Sequence, residues 1–210
     1  IKKNVFRLTI MILNAHWISP CIGDKSLSQI PPRRMLYFPF AMDTKIVKRH
    51  DYFKGGKINL LCVAKYFKSK NPRLVLDVFL ELCENYNDIQ LTICGTGDEA
   101  GDYYKEMTQI VQKSSHRSKV NLLINKPLKD MNDIYLSHDI FILPSNHDPA
   151  SITNLEAMSF GLPIICSRAN GTAGFSIHGV DGFLFEKGDH TGLRSTLVEL
   201  IDNKSLIPII

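Results

Sequence analysis

The chain has 210 residues, 44% of them hydrophobic and 22% charged, and a formal net charge of +4 at pH 7. That balance excludes an intrinsically disordered segment, which would bury too little apolar surface to offset the entropy of ordering. So mild a positive charge gives no argument for nucleic acid as a partner, and the length allows one large domain or one domain with part of another.

The first 57 residues have no regular rhythm. VFRLTIMIL (5–13) is interrupted by Arg7 and is too short to cross a bilayer, which takes about 20 residues. The sequence starts at Ile1 without a signal-peptide pattern, so a cytoplasmic protein that begins inside a longer chain is expected. MLYFPFAMD (35–43) reads as a strand followed by a turn, and HDYFKGGK (50–57) as a linker with Gly55 and Gly56 at its boundary.

From residue 58 short apolar runs alternate with amphipathic ones. The predicted strands are 58–64, 89–95, 119–124, 139–144, 162–167 and 182–186, and the predicted helices are 72–86, 102–115, 128–138, 153–160 and 191–203. In the first helix Leu74, Val75, Val78, Phe79 and Leu82 share one face, as a 3.6-residue period requires. Near-continuous apolar strands alternating with helices indicate α/β class, a doubly wound Rossmann-like parallel sheet covered on both faces. Five cysteines (Cys21, Cys62, Cys83, Cys94, Cys166) show no C-x-x-C pair. They read as buried thiols in a reducing compartment, not as a zinc or disulfide framework.

Ligands of such sheets bind beyond the carboxyl ends of the strands, so function is sought in the loops there. Between Thr44 and Leu74 nine Lys or Arg stand against one acid, Asp51. Most of such a run is ordinarily solvated surface, but Lys65 and Lys70 flank the loop before a helix that opens on Pro72, a placement that suits phosphate. GTGDEAG matches G-x-G-x-x-A through Gly95, Gly97 and Ala100, but the next strand ends in Asn125 and Lys126 with no acid to hold a ribose. The glycines therefore read as a tight turn that lets a ligand approach the backbone, not as a nicotinamide site. NKPLKD (125–130) carries nothing catalytic.

The most informative loop is HDPASITNLEAMSFGLPIICS (147–167). A short helix should start near Ser151 to Asn154 and end at Gly161 and Pro163. Asp148 then precedes it and Glu156 lies one turn inside. Between them Ser151, Ile152, Thr153 and Asn154 offer hydroxyls and free backbone N–H groups, which suit an anion at a helix N-terminus. A structural alternative is a capping box in TNLE, with Glu156 reaching back to Thr153, and a turn before Pro149 for Asp148.

AKYFKSKNP (64–72), LTICGTGD (91–98), DIFILPSNHDPASITNLEAMSFGLPIICS (139–167) and GVDGFLFEKGD (179–189) occur in that order. Together they resemble the donor-binding half of the retaining group 1 (RfaG-like) glycosyltransferases of the GT-B fold, over residues 58 to 203. The resemblance implies transfer of a sugar from a nucleoside diphosphate sugar to an acceptor hydroxyl with retention. It places Asp148 on the acid that contacts the sugar hydroxyls and Glu156 on the acid that holds the ribose. Lys65 and Lys70 would grip the diphosphate with the amides of Ser151, Ile152, Thr153 and Asn154, the backbone at Gly95 and Gly97 would admit the ligand, and Lys126 would lie beside the base.

Three positions depart from the family: Asp148 is shorter than the usual Glu, Lys65 replaces an Arg, and Ala64 replaces a Gly. The resemblance also implies that residues 1–57 are the end of the N-terminal acceptor domain with the interdomain linker, that 58–210 form the donor domain, and that these residues alone are inactive. No D-x-D and no His/Cys cluster at ligand spacing is present, so the reading needs no metal and no cofactor beyond the nucleotide-sugar co-substrate. The acceptor class it suggests is a saccharide or glycolipid of cell-surface polysaccharide biosynthesis, which allows peripheral association with the inner face of the plasma membrane. Two other readings share the nucleotide site: a GT-B nucleotide-sugar epimerase and a non-catalytic nucleotide-sugar binding module.

Overall fold

The computed structural model describes residues 16–19, 31–38, 47, 49, 51–98 and 101–208. The chain divides into two compact units, residues 1–43 and 44–210. In the first unit β1 (Trp17–Ser19) pairs in parallel with β2 (Met35–Tyr37). The strand expected in MLYFPFAMD is thus present at its start, while the following turn, the run VFRLTIMIL and Cys21 lie outside the described residues.

The second unit is built on six strands: β3 (Ile58–Val63), β4 (Ile89–Gly95), β5 (Val120–Ile124), β6 (Ile140–Leu143), β7 (Ile164–Ser167) and β8 (Gly182–Phe185). They run parallel in the order β5-β4-β3-β6-β7-β8. Burial on both faces explains why β6 and β7 consist of consecutive buried residues, with no polar alternation. The connecting helices are α1 (Pro72–Leu82), α2 (Asp102–Lys113), α3 (Met131–Leu136), α4 (Ile152–Ser159) and α5 (His190–Asp202). Leu74, Val75, Val78, Phe79 and Leu82 of α1 are all buried, as their spacing predicts. Helix α1 stops before the predicted Tyr86, whose hydroxyl instead donates to Asp202 at 2.9 Å. Among the described residues no helix is long and apolar enough to cross a membrane.

The strand order places β3 and β6 side by side at the centre, with the chain crossing over in opposite directions from each. That is the topological switch point of a doubly wound sheet, where a crevice opens at the carboxyl ends. Here β3 and β4 stay in register from Ile58–Ile89 to Val63–Cys94, whereas β3 and β6 register at Leu60–Ile140 and Leu61–Phe141. The two central strands part before their carboxyl ends.

At the opposite edge the boundary expected at 57/58 falls inside the second unit. Fully buried Asp139 accepts hydrogen bonds from the backbone N–H groups of Phe53 (2.8 Å) and Asn59 (2.7 Å) and from the Asn59 side-chain amide (3.0 Å). It also pairs with Arg49 at 3.3 Å, whose guanidinium donates to the His138 carbonyl and lies 4.6 Å from the centre of the Tyr52 ring. Tyr52 donates to the Gly161 carbonyl at 2.7 Å and Val47 N–H to the Ser159 carbonyl at 2.8 Å. A segment that reads as a linker is therefore stitched to the sheet.

Candidate functional site

The loop after β3 is fixed before it reaches its lysines. Buried Tyr66 donates through its hydroxyl to the carbonyls of Ile93 (2.8 Å) and Leu123 (3.0 Å), tying the loop to β4 and β5. Gly95 is required where β4 passes this loop: a Cβ there would lie 1.9 Å from the Ala64 carbonyl oxygen. Gly95→Ala should therefore cost about 1–3 kcal/mol of stability in a urea titration, the range for forced overpacking. Asn71, in the left-handed region at φ 51, then turns the chain into α1 with Pro72 in its first turn.

The loop after β6 docks on the same segment. The N–H groups of Asn146 and His147 both donate to the Ser69 carbonyl, at 2.8 and 3.1 Å, and the Asn146 amide donates to the Lys68 carbonyl at 3.3 Å. These bonds bring Lys70 to Asp148, Nζ to Oδ2 2.7 Å, with the side chains 22% and 9% exposed. The Asp148 main chain is held in turn, its carbonyl accepting from Gly171 N–H at 2.8 Å. Cys166, below, is pushed up to about 12 by burial, with the Asp148 charge adding to the effect.

Helix α4 starts at the carboxyl end of β3. Its cap is Ser151, and Gly161, at φ 71, ends it. Thr153 donates from its hydroxyl to the Val63 carbonyl at 3.2 Å and shares a 2.9 Å hydrogen bond with Ser151, so the helix start is fastened to the carboxyl end of β3. The capping box proposed for TNLE is not formed. The helix begins before Thr153, and the Glu156 carboxylate instead accepts a 2.7 Å hydrogen bond from Tyr135. Burial, together with the charge and hydrogen bond of Glu156, raises the Tyr135 pKa, so the phenol stays protonated and acts as a donor.

Lys65, Gly95, Lys126, Thr153 and Glu156 line a cavity of about 300 Å³ at the carboxyl ends of β3 and β4. Val63, Leu128 and Met131 give it apolar walls, and Cys94 also faces it, its pKa raised by burial against the opposing pull of Lys126. A largely apolar recess with a few convergent polar groups is the usual form of a small-molecule site. Lys70 and Asp148 form a second polar group on the loops that follow β3 and β6.

Other predicted residues stand apart from the cavity wall. Gly97 is engaged by the Asn125 side chain, donating its N–H to Oδ1 at 3.2 Å and accepting from Nδ2 at 3.1 Å, which pins the loop bearing Lys126. Ile152 is 47% exposed, Ser151 is buried, and Asn154 is fully buried with neither amide atom bonded to a protein partner. Ala100 lies outside the described residues. Tyr135, Asn125 and Asn146 were not foreseen as contributors, because each acts through a bond to a residue distant in sequence. Asn125 alone carried a local signal, as a residue type that tolerates its φ of 53.

The family model described as glycosyl transferases group 1 matches residues 44–207. The chain is 25% identical over 190 residues to 2-deoxystreptamine N-acetyl-D-glucosaminyltransferase of Niallia circulans, covering 90% of this chain and 45% of that protein. It is 31% identical over 147 residues to an Escherichia coli UDP-Gal:alpha-D-GlcNAc-diphosphoundecaprenol alpha-1,3-galactosyltransferase, covering 69% of this chain and 36% of that protein. It thus spans less than half the length of these two relatives. Among solved structures, Anabaena HepE in complex with UDP superposes with a TM-score of 0.82 at 15% identity, covering 100% of this chain and 61% of that one. The C-terminal domain of a Francisella tularensis group 1 glycosyl transferase superposes with a TM-score of 0.67 at 17% identity, covering 76% of this chain and 84% of that one. These superpositions show the fold, the doubly wound half of a GT-B architecture, and the family match over most of the sequence places this chain among the group 1 glycosyl transferases.

Proposed function

We propose that residues 44–210 bind the nucleoside diphosphate sugar of a retaining glycosyltransferase, which passes the sugar to an acceptor hydroxyl on a saccharide or glycolipid. The observation that carries this reading is the meeting of Lys65, Thr153 at the start of α4 and Glu156 around a recess at the carboxyl ends of β3 and β4, with the Lys70–Asp148 pair on the loops that follow β3 and β6. In this assignment Glu156, held by Tyr135, accepts from the ribose hydroxyls. The base lies between the apolar wall and the loop of Lys126. The diphosphate meets Lys65, Lys70 and the amides at the start of α4, and Asp148 meets the sugar.

The chemistry follows from that arrangement. The bond between the anomeric carbon and the diphosphate oxygen breaks, and negative charge develops on the leaving phosphate. Lys70 and a helix N-terminus, both fixed beforehand, with Lys65 adding a mobile charge, stabilise that charge where it appears, ordinarily the largest single catalytic contribution. The departing phosphate oxygen accepts the acceptor's proton on the face it leaves, so the new bond forms with retention and no protein base is needed. The four described cysteines, all free and buried, fit a cytoplasmic enzyme.

Calorimetric titration of the chain with UDP, GDP and ADP tests the assignment, and UDP is the first choice because the superposed HepE structure holds it. Glu156→Ala should weaken the nucleotide that binds by about 10- to 30-fold, and Tyr135→Phe by about 3- to 10-fold, the scale of one hydrogen bond to a charged group. A folded chain that binds none of the three nucleotides would sink the proposal.

A further inference from the structure

Two demands fall on one carboxylate in this site. On the reading above, Lys70 serves the diphosphate and Asp148 the sugar, yet the two side chains contact each other at 2.7 Å, largely shielded from solvent. The contact is built in. Lys70 is placed by the bonds from Asn146 and His147 to Ser69, and Asp148 by its carbonyl bond to Gly171 and its N–H bond to Ala169, at 2.8 and 3.4 Å. An ammonium can direct its protons to several acceptors, but its one positive charge is divided among them. A diphosphate reaching Lys70 meets a carboxylate that already neutralises it and, as a like charge, opposes it. Partial burial limits the screening of that opposition by salt.

We propose that Asp148 is an internal counter-ion of Lys70, competing with the nucleoside diphosphate for the same ammonium and so weakening retention of the diphosphate left after the sugar has departed. While the sugar is attached, its hydroxyls donate to the carboxylate and Asp148 favours binding. Once the sugar has moved to the acceptor those donors are gone, the carboxylate returns to Lys70, and the product is disfavoured. One residue thereby separates the affinities for substrate and product in the direction turnover needs.

Calorimetry on the 210-residue chain with UDP and UDP-glucose tests this, with the GDP and ADP pairs used if the chain selects another base. Asp148→Asn keeps the shape and removes the charge. It should bind the nucleoside diphosphate about 3- to 10-fold more tightly than the wild type, the scale of one partly buried ion pair, while the ratio of sugar-nucleotide to diphosphate affinity falls by about 10-fold. Asp148→Glu, which keeps the charge, should hold diphosphate affinity within about twofold of the wild type. A carboxylate with a purely structural role would weaken both ligands when lost. If Asp148→Asn leaves diphosphate binding unchanged or weaker while Glu156→Ala still lowers it, the counter-ion role is overturned and the nucleotide site stands. If neither the wild type nor Asp148→Asn binds any of the nucleotides, both are overturned.

Discussion

Lys70→Ala is expected to weaken binding of the nucleoside diphosphate by about 100-fold, measured by calorimetry, with the fold intact by circular dichroism. Two effects act in the same direction. The first is loss of a charge-assisted hydrogen bond to phosphate, worth roughly 1.5–3 kcal/mol, or about 10- to 150-fold. The second is that Asp148, 9% exposed and paired with Lys70 at 2.7 Å, then confronts the diphosphate without its cation. Lys70→Arg should recover part of the loss, because it keeps the charge but exchanges a compact ammonium for a planar fork on a longer stem. Loss of affinity below about threefold in Lys70→Ala would remove Lys70 from the phosphate site.

Lys65 should matter less. It is exposed at the cavity rim, where a charge is screened and its side chain retains more freedom. The structure thus separates two lysines that the sequence presents as a matched pair. One is locked by an ion pair, and the other is a solvated charge beside the recess.

How far the sequence was legible depends on whether a residue acts locally or across the fold. The alternation of β3 to β8 with α1 to α5 was readable because each strand and helix face is buried against the same continuous core, so hydrophobic period and burial coincide. Helix α4 was readable because its stop signal, Gly161 at φ 71, is local. Its start near Ser151 was readable too, but the partner of Glu156 was not: TNLE satisfies the pattern of a capping box, and only the arrival of Tyr135 at 2.7 Å shows that Glu156 has a stronger partner. The pairing of Lys70 with Asp148 was equally hidden, since each reads alone as a ligand residue and their separation is 78 positions.

The linker shows the same limit on a larger scale. Its paired glycines suggested a connector, and the acid that receives it, Asp139, looks in sequence like the polar first residue of a predicted strand. Asp139→Ala is expected to destabilise the second unit by about 3–5 kcal/mol, a large part of the 5–15 kcal/mol typical of a domain. Asp139 is fully buried and accepts from Phe53 N–H, Asn59 N–H and the Asn59 amide, besides pairing with Arg49. Removing it leaves the N–H groups of Phe53 and Asn59 without their acceptor and leaves a guanidinium whose side chain is 1% exposed with the exposed Asp51, at 3.7 Å, as its remaining carboxylate. The cost is that of orphaned N–H groups and of a buried guanidinium left with a weaker, solvent-exposed partner, well above the net value of the pair itself. Replacing both partners together, Arg49→Met with Asp139→Leu, should therefore cost less than the sum of the single changes, which a double-mutant cycle by urea denaturation measures. Because Asp139 stands at the amino edge of the sheet, nucleotide affinity of Asp139→Ala under conditions where it remains folded should match the wild type. A selective loss of affinity there would mean that the linker reports to the site across the sheet.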